Sequence, residues 1–296
     1  MSYSYALQRL DLVQWSETDG KLTVKTGRGA VVCPKLPEPD PGHIAVAGVF
    51  ISPYPPAVGE APRVEEKHVY PINPAPPAEP INPDAISTTL RKLRDGEDVS
   101  IAFLGDSITL GAEAGKWWAD RSKTYTGRVM AGLKKRFPRV DIQQIQAWKG
   151  GITTKMGAGF FQNKVRPKAP DLLIIALGAN DADGRSWDQP PRNPAPQFRE
   201  DIRRMVRAAK QAGTEAMLVT PLHPHEIPAE KYISGHRQAL LDVAQEENAA
   251  CADVYADWQN LATRGIPPFT QLHNTSNHPG PFGHSIYAKA ILRFFE

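Results

Sequence analysis

The sequence predicts an α/β protein: a five-stranded parallel sheet between two layers of helices (a three-layer αβα arrangement), with a small N-terminal β-rich region. Three observations lead to this. Short apolar runs alternate with helix-spaced apolar residues over the last two thirds of the chain. Half of the 28 prolines fall within residues 34–83, between that part and a strand-rich beginning. A composition of 41% hydrophobic and 23% charged residues over 296 positions is enough for a sizeable core.

The first 69 residues read as a small β-rich region. Strand-like runs at 21–26, 29–33 and 43–51 are separated by Gly, Pro and Asp turn signals. A piece of this size is marginal alone, so we expect it to pack on the main domain or to join two copies in a homo-oligomer. Residues 70–83 are predicted to form a stiff, proline-rich connector, and residues 84–296 the main domain.

The main domain begins with a predicted helix. Asn82 is its expected N-cap, Pro83 its first residue and Gly96 its terminator. The five predicted strands are 99–104, 140–147, 171–178, 215–221 and 251–257. Helical spacing of apolar residues follows most of them. The third strand is continuously apolar, as expected of a central strand covered on both faces.

The bulk composition excludes several classes of protein. A formal charge of +3 is too balanced to favour nucleic acid. Two distant cysteines do not make a disulfide scaffold, and no His or Cys cluster has metal-ligand spacing, so we expect neither metal nor cofactor. No apolar run has the length of a membrane span, and no signal peptide is visible. A cytoplasmic location is the default expectation, although a secreted protein whose leader had been removed would look the same.

Residues 104–118, "LGDSITLGAEAGKWW", allow two interpretations. The first is a phosphate-binding loop at 111–116. That pattern needs four residues between its first glycine and a Gly-Lys pair, and then a Ser or Thr hydroxyl. Here three residues stand between the glycines, and Trp117 occupies the hydroxyl position. The second interpretation places Ser107 just past the end of a strand. In open parallel sheets ligands bind at the edge formed by the carboxyl ends of the strands, so we favour the second interpretation.

Four short blocks together resemble the SGNH, or GDSL, hydrolase family. They are "GDSIT" (105–109), "GGITT" (150–154), "LGAND" (177–181) and "NHPGPFGHSIYAKAI" (277–291). They lie in family order, after predicted strands or before the last helix. The resemblance implies a flavodoxin-like sheet, with Ser107 as nucleophile of an esterase.

The same resemblance implies the roles of the other site residues. His278 would take the proton from Ser107 and return it to the leaving alcohol. The oxyanion donors would be the backbone N–H groups of Ser107 and Gly151 and the side-chain amide of Asn180. We expect the neighbouring Asp106 and Asp181 to hold turns, and His284 to be structural.

The sequence departs from the family at one position. The family usually carries Asp three residues before the catalytic His, and here that residue is Thr275. We expect a Ser107–His278 dyad in which Thr275, Asn274 or a backbone carbonyl holds the other ring nitrogen. An acid arriving from elsewhere in the fold is the alternative.

The expected partner is a small-molecule or oligosaccharide ester. Trp117, Trp118 and Trp187 lie in loops that could wall a sugar-binding pocket, and His223 follows the fourth strand. No long apolar lid segment is present, so we expect a short acyl group, acetate in particular, on a carbohydrate. Two alternatives remain: a non-catalytic carbohydrate- or lipid-binding module on this scaffold, and an acyltransferase that uses the same site.

Overall fold

The protein is described by a computed structural model, which covers residues 7–53, 68–115, 120–183, 189–222, 230–274 and 276–296. The chain divides into two compact units. The smaller unit comprises residues 1–77 and 259–275, and the larger comprises 78–258 and 276–296. Within the described ranges, no helix is long and apolar enough to cross a bilayer.

The larger unit contains the predicted parallel sheet. Its strands are β5 (Val99–Gly105), β6 (Ile142–Trp148), β7 (Leu172–Ala176), β8 (Glu215–Val219) and β9 (Ala250–Ala252). They lie in the order β6-β5-β7-β8-β9 with every neighbouring pair parallel, which confirms the flavodoxin-like prediction. Since β5 lies between β6 and β7, the loops after these three strands emerge side by side at the sheet's carboxyl edge.

Helices cover both faces of this sheet. Alternate residues of β5 point to opposite sides: Ala102 and Leu104 belong to a buried cluster with Phe198 and Leu240, whereas Phe103 meets the Tyr125 ring edge-on at 6.2 Å. The helices of the unit are α1 (Ser87–Asp95), α2 (Ser107–Leu110), α3 (Tyr125–Arg136), α4 (Thr154–Phe160), α5 (Ala179–Ala182), α6 (Ala195–Gln211), α7 (Glu230–Glu246), α8 (Val254–Gln259) and α9 (Pro281–Leu292).

The smaller unit is built on an antiparallel sheet. Its strands are β1 (Arg9–Ser16), β2 (Leu22–Lys25), β3 (His43–Ile51) and β4 (Val69–Pro71), in the order β2-β1-β3-β4. Residues 259–275 complete this unit. Phe269 packs edge-on against Phe50 of β3 at 5.1 Å, and Gly48 lies so close to Gly265 that a Cβ would stand 1.9 Å from its carbonyl oxygen.

Three sequence expectations differ from the structure. Residues 29–33 do not form a strand: Val31 is 78% exposed, and Ala30 makes only an isolated bridge to Gln8. The last strand ends at Ala252, because the Asp253 carboxylate accepts from Ala256 N–H and turns the chain into α8. Asn82 precedes a 3-10 turn, and its side chain donates to carbonyls near the end of α7 instead of capping.

Candidate active site

Ser107 stands at the carboxyl end of strand β5, which lies between β6 and β7, as the first residue of the one-turn helix α2. The Asp106 carboxylate accepts the Ile108 N–H at 2.9 Å and so caps that turn. Gly105 is required for close packing, because a Cβ there would lie 1.9 Å from the Thr109 hydroxyl. This turn presents the Ser107 hydroxyl at the edge of the sheet where ligands bind.

His278 lies next to Ser107, although 171 positions separate them in the chain. Its Nε2 atom is 2.8 Å from the Ser107 Oγ. Burial lowers the pKa of His278 from its usual 6.5, and the negative charge of Glu113 opposes part of that effect. The ring is therefore mainly neutral at pH 7, the state in which it can accept the serine proton.

Two backbone N–H groups at this edge of the sheet, those of Ser107 and Gly151, have no acceptor within the described ranges. The second lies in the loop after β6. This loop passes close to Ser107, since a Cβ on Gly150 would lie 3.9 Å from the Ser107 Cβ. Gly151 has φ of 76°, a conformation that favours glycine, and open space around its Cα. Such N–H groups can stabilise an oxyanion.

Asn180 lies in the loop after β7, at the start of α5. Its side-chain nitrogen donates to Asp106 Oδ2 at 3.2 Å. One carboxylate thus caps the serine turn with one oxygen and orients the Asn180 amide with the other. Asp106 is almost completely buried, and this burial raises its pKa to about 7.

Asp181 organises the loops behind this edge. It is fully buried and accepts from the Thr154 N–H at 2.9 Å, the Thr154 hydroxyl at 2.5 Å and the Asn193 amide at 3.2 Å. Burial raises the pKa of Asp181. These bonds join the glycine loop after β6 to the Asn180 segment after β7. Asp106 and Asp181 both hold turns, as expected.

His284 is a neutral structural histidine. Its Nδ1 accepts the Tyr125 N–H at 3.2 Å, and its Nε2 donates to the Ala112 carbonyl at 3.1 Å. Burial lowers its pKa to about 4. The contact fixes residues 111–115, which carry Glu113, against α9.

Several predicted site residues lie outside the described part of the chain: Trp117, Trp118, Trp187, His223 and Thr275. Asn274 is half-buried, and its proposed contact with the ring of His278 stays a prediction. No group of three or more metal-ligating side chains occurs among the residues that were placed.

The structure adds three residues that the sequence analysis did not identify. Glu113 is the carboxylate whose charge acts on His278. Trp148 ends β6 opposite Gly105, and the Arg121 guanidinium stacks 4.9 Å from its ring centroid. Asn193 is buried in the "PPRNPAP" segment and contacts Thr154 as well as Asp181. Only Trp148 carried a signal, because it directly follows the predicted strand 140–147.

Comparisons with known proteins agree with this geometry. The sequence profile of the GDSL-like lipase/acylhydrolase family matches residues 103–286, well over half of the chain. Among solved structures, the acetylxylan esterase Axe2 from Geobacillus stearothermophilus is similar, with a TM-score of 0.56 and 22% identity over 67% of this chain and 94% of that one.

A second similar structure is LAE5, an alpha/beta hydrolase enzyme from the metagenome of Lake Arreo, Spain. Its TM-score is 0.55 and its identity 22%, over 67% of this chain and 94% of that chain. No curated protein matches the sequence significantly. The family match runs from within β5 to within α9 and includes Ser107, Gly151, Asn180 and His278. The chain belongs to the GDSL-like lipase/acylhydrolase family and is a carboxylic ester hydrolase.

Proposed function

We propose that the protein removes short acyl groups, acetate above all, from a carbohydrate through an acyl-enzyme on Ser107. The observation that carries the proposal is the 2.8 Å contact between Ser107 Oγ and His278 Nε2 beside two N–H groups without acceptors in the described ranges. A serine hydroxyl is too weakly acidic to attack an ester unaided, and a neutral imidazole at this distance removes the obstacle.

In the first half of the reaction the Ser107 oxygen attacks the ester carbonyl while its proton passes to His278. The carbonyl oxygen becomes an oxyanion, which accepts from the Ser107 and Gly151 N–H groups and from the Asn180 amide. His278 then gives the proton to the leaving sugar hydroxyl. In the second half a water molecule attacks the acyl group, again with His278 as base, and free acid leaves.

The imidazolium that forms during both steps needs a counter-charge. Thr275 supplies none, and Glu113 is the carboxylate whose charge raises the pKa of His278. Glu113 lies in the turn after α2, where its own φ is 60° and the His284 bond to Ala112 fixes the backbone. In this mechanism a Ser107–His278 dyad transfers the proton, and Glu113 stabilises the charged ring.

The choice of a short acyl group on a sugar rests on two supports. Axe2 is an acetylxylan esterase, and its likeness spans nearly all of that chain. A half-buried tryptophan, Trp148, lies beside the serine turn, and a stacked arginine holds its ring. Aromatic and polar groups side by side suit sugar rings, which present both C–H patches and hydroxyls.

The test is ester hydrolysis by a Ser107→Ala variant. The native protein should hydrolyse p-nitrophenyl acetate faster than longer aryl esters and should release acetate from acetylated xylooligosaccharides. Ser107→Ala should lose activity by at least about a thousandfold. The matched control is Ser87→Ala, at an exposed serine that begins α1.

Three outcomes would contradict the proposal. Undiminished turnover by Ser107→Ala would remove the nucleophile from the mechanism. Failure of the native protein to form an adduct with a fluorophosphonate, together with tight sugar binding, would favour a binding module. A transferred acyl group found on an added alcohol, at the expense of free acetate, would favour an acyltransferase.

A further inference from the structure

A groove of about 720 Å³ opens between α4 and α6. This volume is within the range of about 300–1,000 Å³ typical of small-molecule sites. Its floor includes the buried side chains of Phe161 and Met205, and Gln162 and Gln197 lie at its margin. None of these residues takes part in the proposed reaction.

The groove adjoins the glycine loop that approaches Ser107. Arg192, which lines the groove, donates to the Gly151 carbonyl at 3.4 Å. On the same loop a Cβ at Gly150 would lie 3.9 Å from the Ser107 Cβ. Neighbouring residues of this loop thus approach Ser107 on one hand and a groove-lining arginine on the other.

The charge of the groove is unbalanced. It is lined by three cations, Lys155, Arg192 and Arg204, and by one carboxylate, Asp201. Arg204 and Asp201 pair with each other at 2.5 Å. Lys155 and Arg192 line the groove and have no acidic partner in the described ranges.

The two glutamines offer hydrogen bonds of both kinds. Gln162 accepts from Arg166 through Oε1, and its amide N–H groups remain available. Gln197 donates to Asp201 at 3.2 Å, and its Oε1 remains available. An apolar floor, one free donor group and one free acceptor suit a ring that carries hydroxyls. The cations suit a carboxylate, which a guanidinium binds with two parallel hydrogen bonds.

We propose that the groove between α4 and α6 binds a carboxylated sugar, a uronic acid residue, of the esterified glycan, through Lys155 and Arg192. This rests on the proposed esterase function for the position of the sugar chain relative to Ser107. The preferred substrate is then an acylated acidic oligosaccharide, and the neutral acetylated sugar is the poorer one.

The first test measures binding without catalysis. The Ser107→Ala protein is titrated calorimetrically with trigalacturonic acid and with its methyl ester, which has the same skeleton but no charge. The acid should bind about tenfold more tightly, since each of two partly exposed cations contributes about three- to fivefold. High salt should reduce the difference.

Substitutions of the two groove cations test whether the groove causes the difference in affinity between the acid and its methyl ester. In the Ser107→Ala background, Lys155→Gln and Arg192→Gln should each remove part of the preference for the acid, and the double variant should remove it. The matched control Lys168→Gln changes an exposed cation that does not line the groove and should keep the full preference. Equal affinity for acid and ester, no binding of the acid, or an undiminished preference in the double variant would overturn the proposal.

The second test separates this proposal from the esterase function. The ratio of kcat/KM on acetylated oligogalacturonate to that on acetylated xylotriose should fall about tenfold in the double variant. Because the readout is a ratio, a general loss of activity cancels. Hydrolysis of both substrates without this fall would refute the groove assignment alone. Selective binding of trigalacturonic acid without any hydrolysis would support the groove and refute the esterase function.

Discussion

We expect Asp106→Asn to change stability and activity in opposite directions: as pH rises the variant gains stability relative to the native protein, but its kcat is lower. Between pH 3.8 and about 7 the folded protein holds a proton on Asp106 that the unfolded chain releases. The native free energy of unfolding therefore loses about 1.4 kcal/mol per pH unit in this window, or about 4 kcal/mol in total. Asparagine carries no charge, so the variant does not lose this stability.

The substitution also places an amide where Asp106 Oδ2 accepts from Asn180. The asparagine amide has one oxygen for two donors, the Ile108 N–H and the Asn180 amide, so two donor groups face each other in either orientation. This costs about 1–3 kcal/mol at every pH and disturbs either the serine turn or the Asn180 amide. We expect kcat on p-nitrophenyl acetate to fall about a hundredfold or more, as for loss of one oxyanion donor. Relative to the native protein, the variant should gain stability steadily from pH 4.5 to 7 and level off above.

The assay is urea unfolding of both proteins at pH 4.5, 6, 7 and 8, with kcat measured at pH 8. Asp141→Asn, at an exposed aspartate, controls for the loss of one surface charge. A stability difference that is constant over this range would show that Asp106 is not held protonated by burial. A kcat within threefold of native would show that Asn180 does not depend on Asp106.

Two further predictions concern the serine turn and the ring of His278. Glu113→Gln removes the charge that raises the pKa of His278, so the acid limb of kcat/KM against pH should move to lower pH; an unmoved limb would exclude Glu113 as the counter-charge. Gly105→Ala puts a Cβ 1.9 Å from the Thr109 hydroxyl and should destabilise the protein by several kcal/mol and abolish ester hydrolysis. Gly159→Ala, with open space on helix α4, should instead stabilise by about 0.5–1 kcal/mol in the same urea assay, and equal effects of the two substitutions would contradict the steric argument.

The parallel sheet was predictable because its inner strands β5 and β7 are apolar on both faces. The run at 171–178 contains β7, and 99–104 differs from β5 by one residue. Strand β1 escaped prediction, since its buried positions include Asp11 and Gln14 as well as leucines. Asp11 is satisfied by Arg9 and by the Gly27 N–H, and Gln14 by Asp40. Hydrogen bonds to residues as far along the chain as Gly27 and Asp40 leave no pattern in the sequence of the strand itself.

The candidate site also has parts that a local sequence pattern predicted and parts that depend on contacts between distant residues. The four blocks indicated the Ser107, Gly151, Asn180 and His278 positions, because each follows a strand or precedes a helix in a fixed order. The network of Asn193 with Thr154 and Asp181 was not predictable, although Thr154 and Asp181 end two of the blocks. It joins positions 27 to 39 residues apart, and no motif marks Asn193. Glu113 was not predictable for a related reason: its charge acts on the pKa of His278 only when folding brings the two residues near each other.

The four candidate site residues differ in how the chain brings them to the sheet edge. Three site residues come from loops after β6, β5 and β7, which neighbour one another whatever the rest of the chain does. The fourth, His278, precedes α9 and depends on how the chain reaches that helix. In this protein residues 259–275 belong to the smaller unit, and the chain returns to the larger one at Ser276. The expected acid position, Thr275, is therefore the last residue of the other unit. Glu113, the counter-charge that we propose, lies in the turn after α2 and belongs to the same unit as Ser107 and His278.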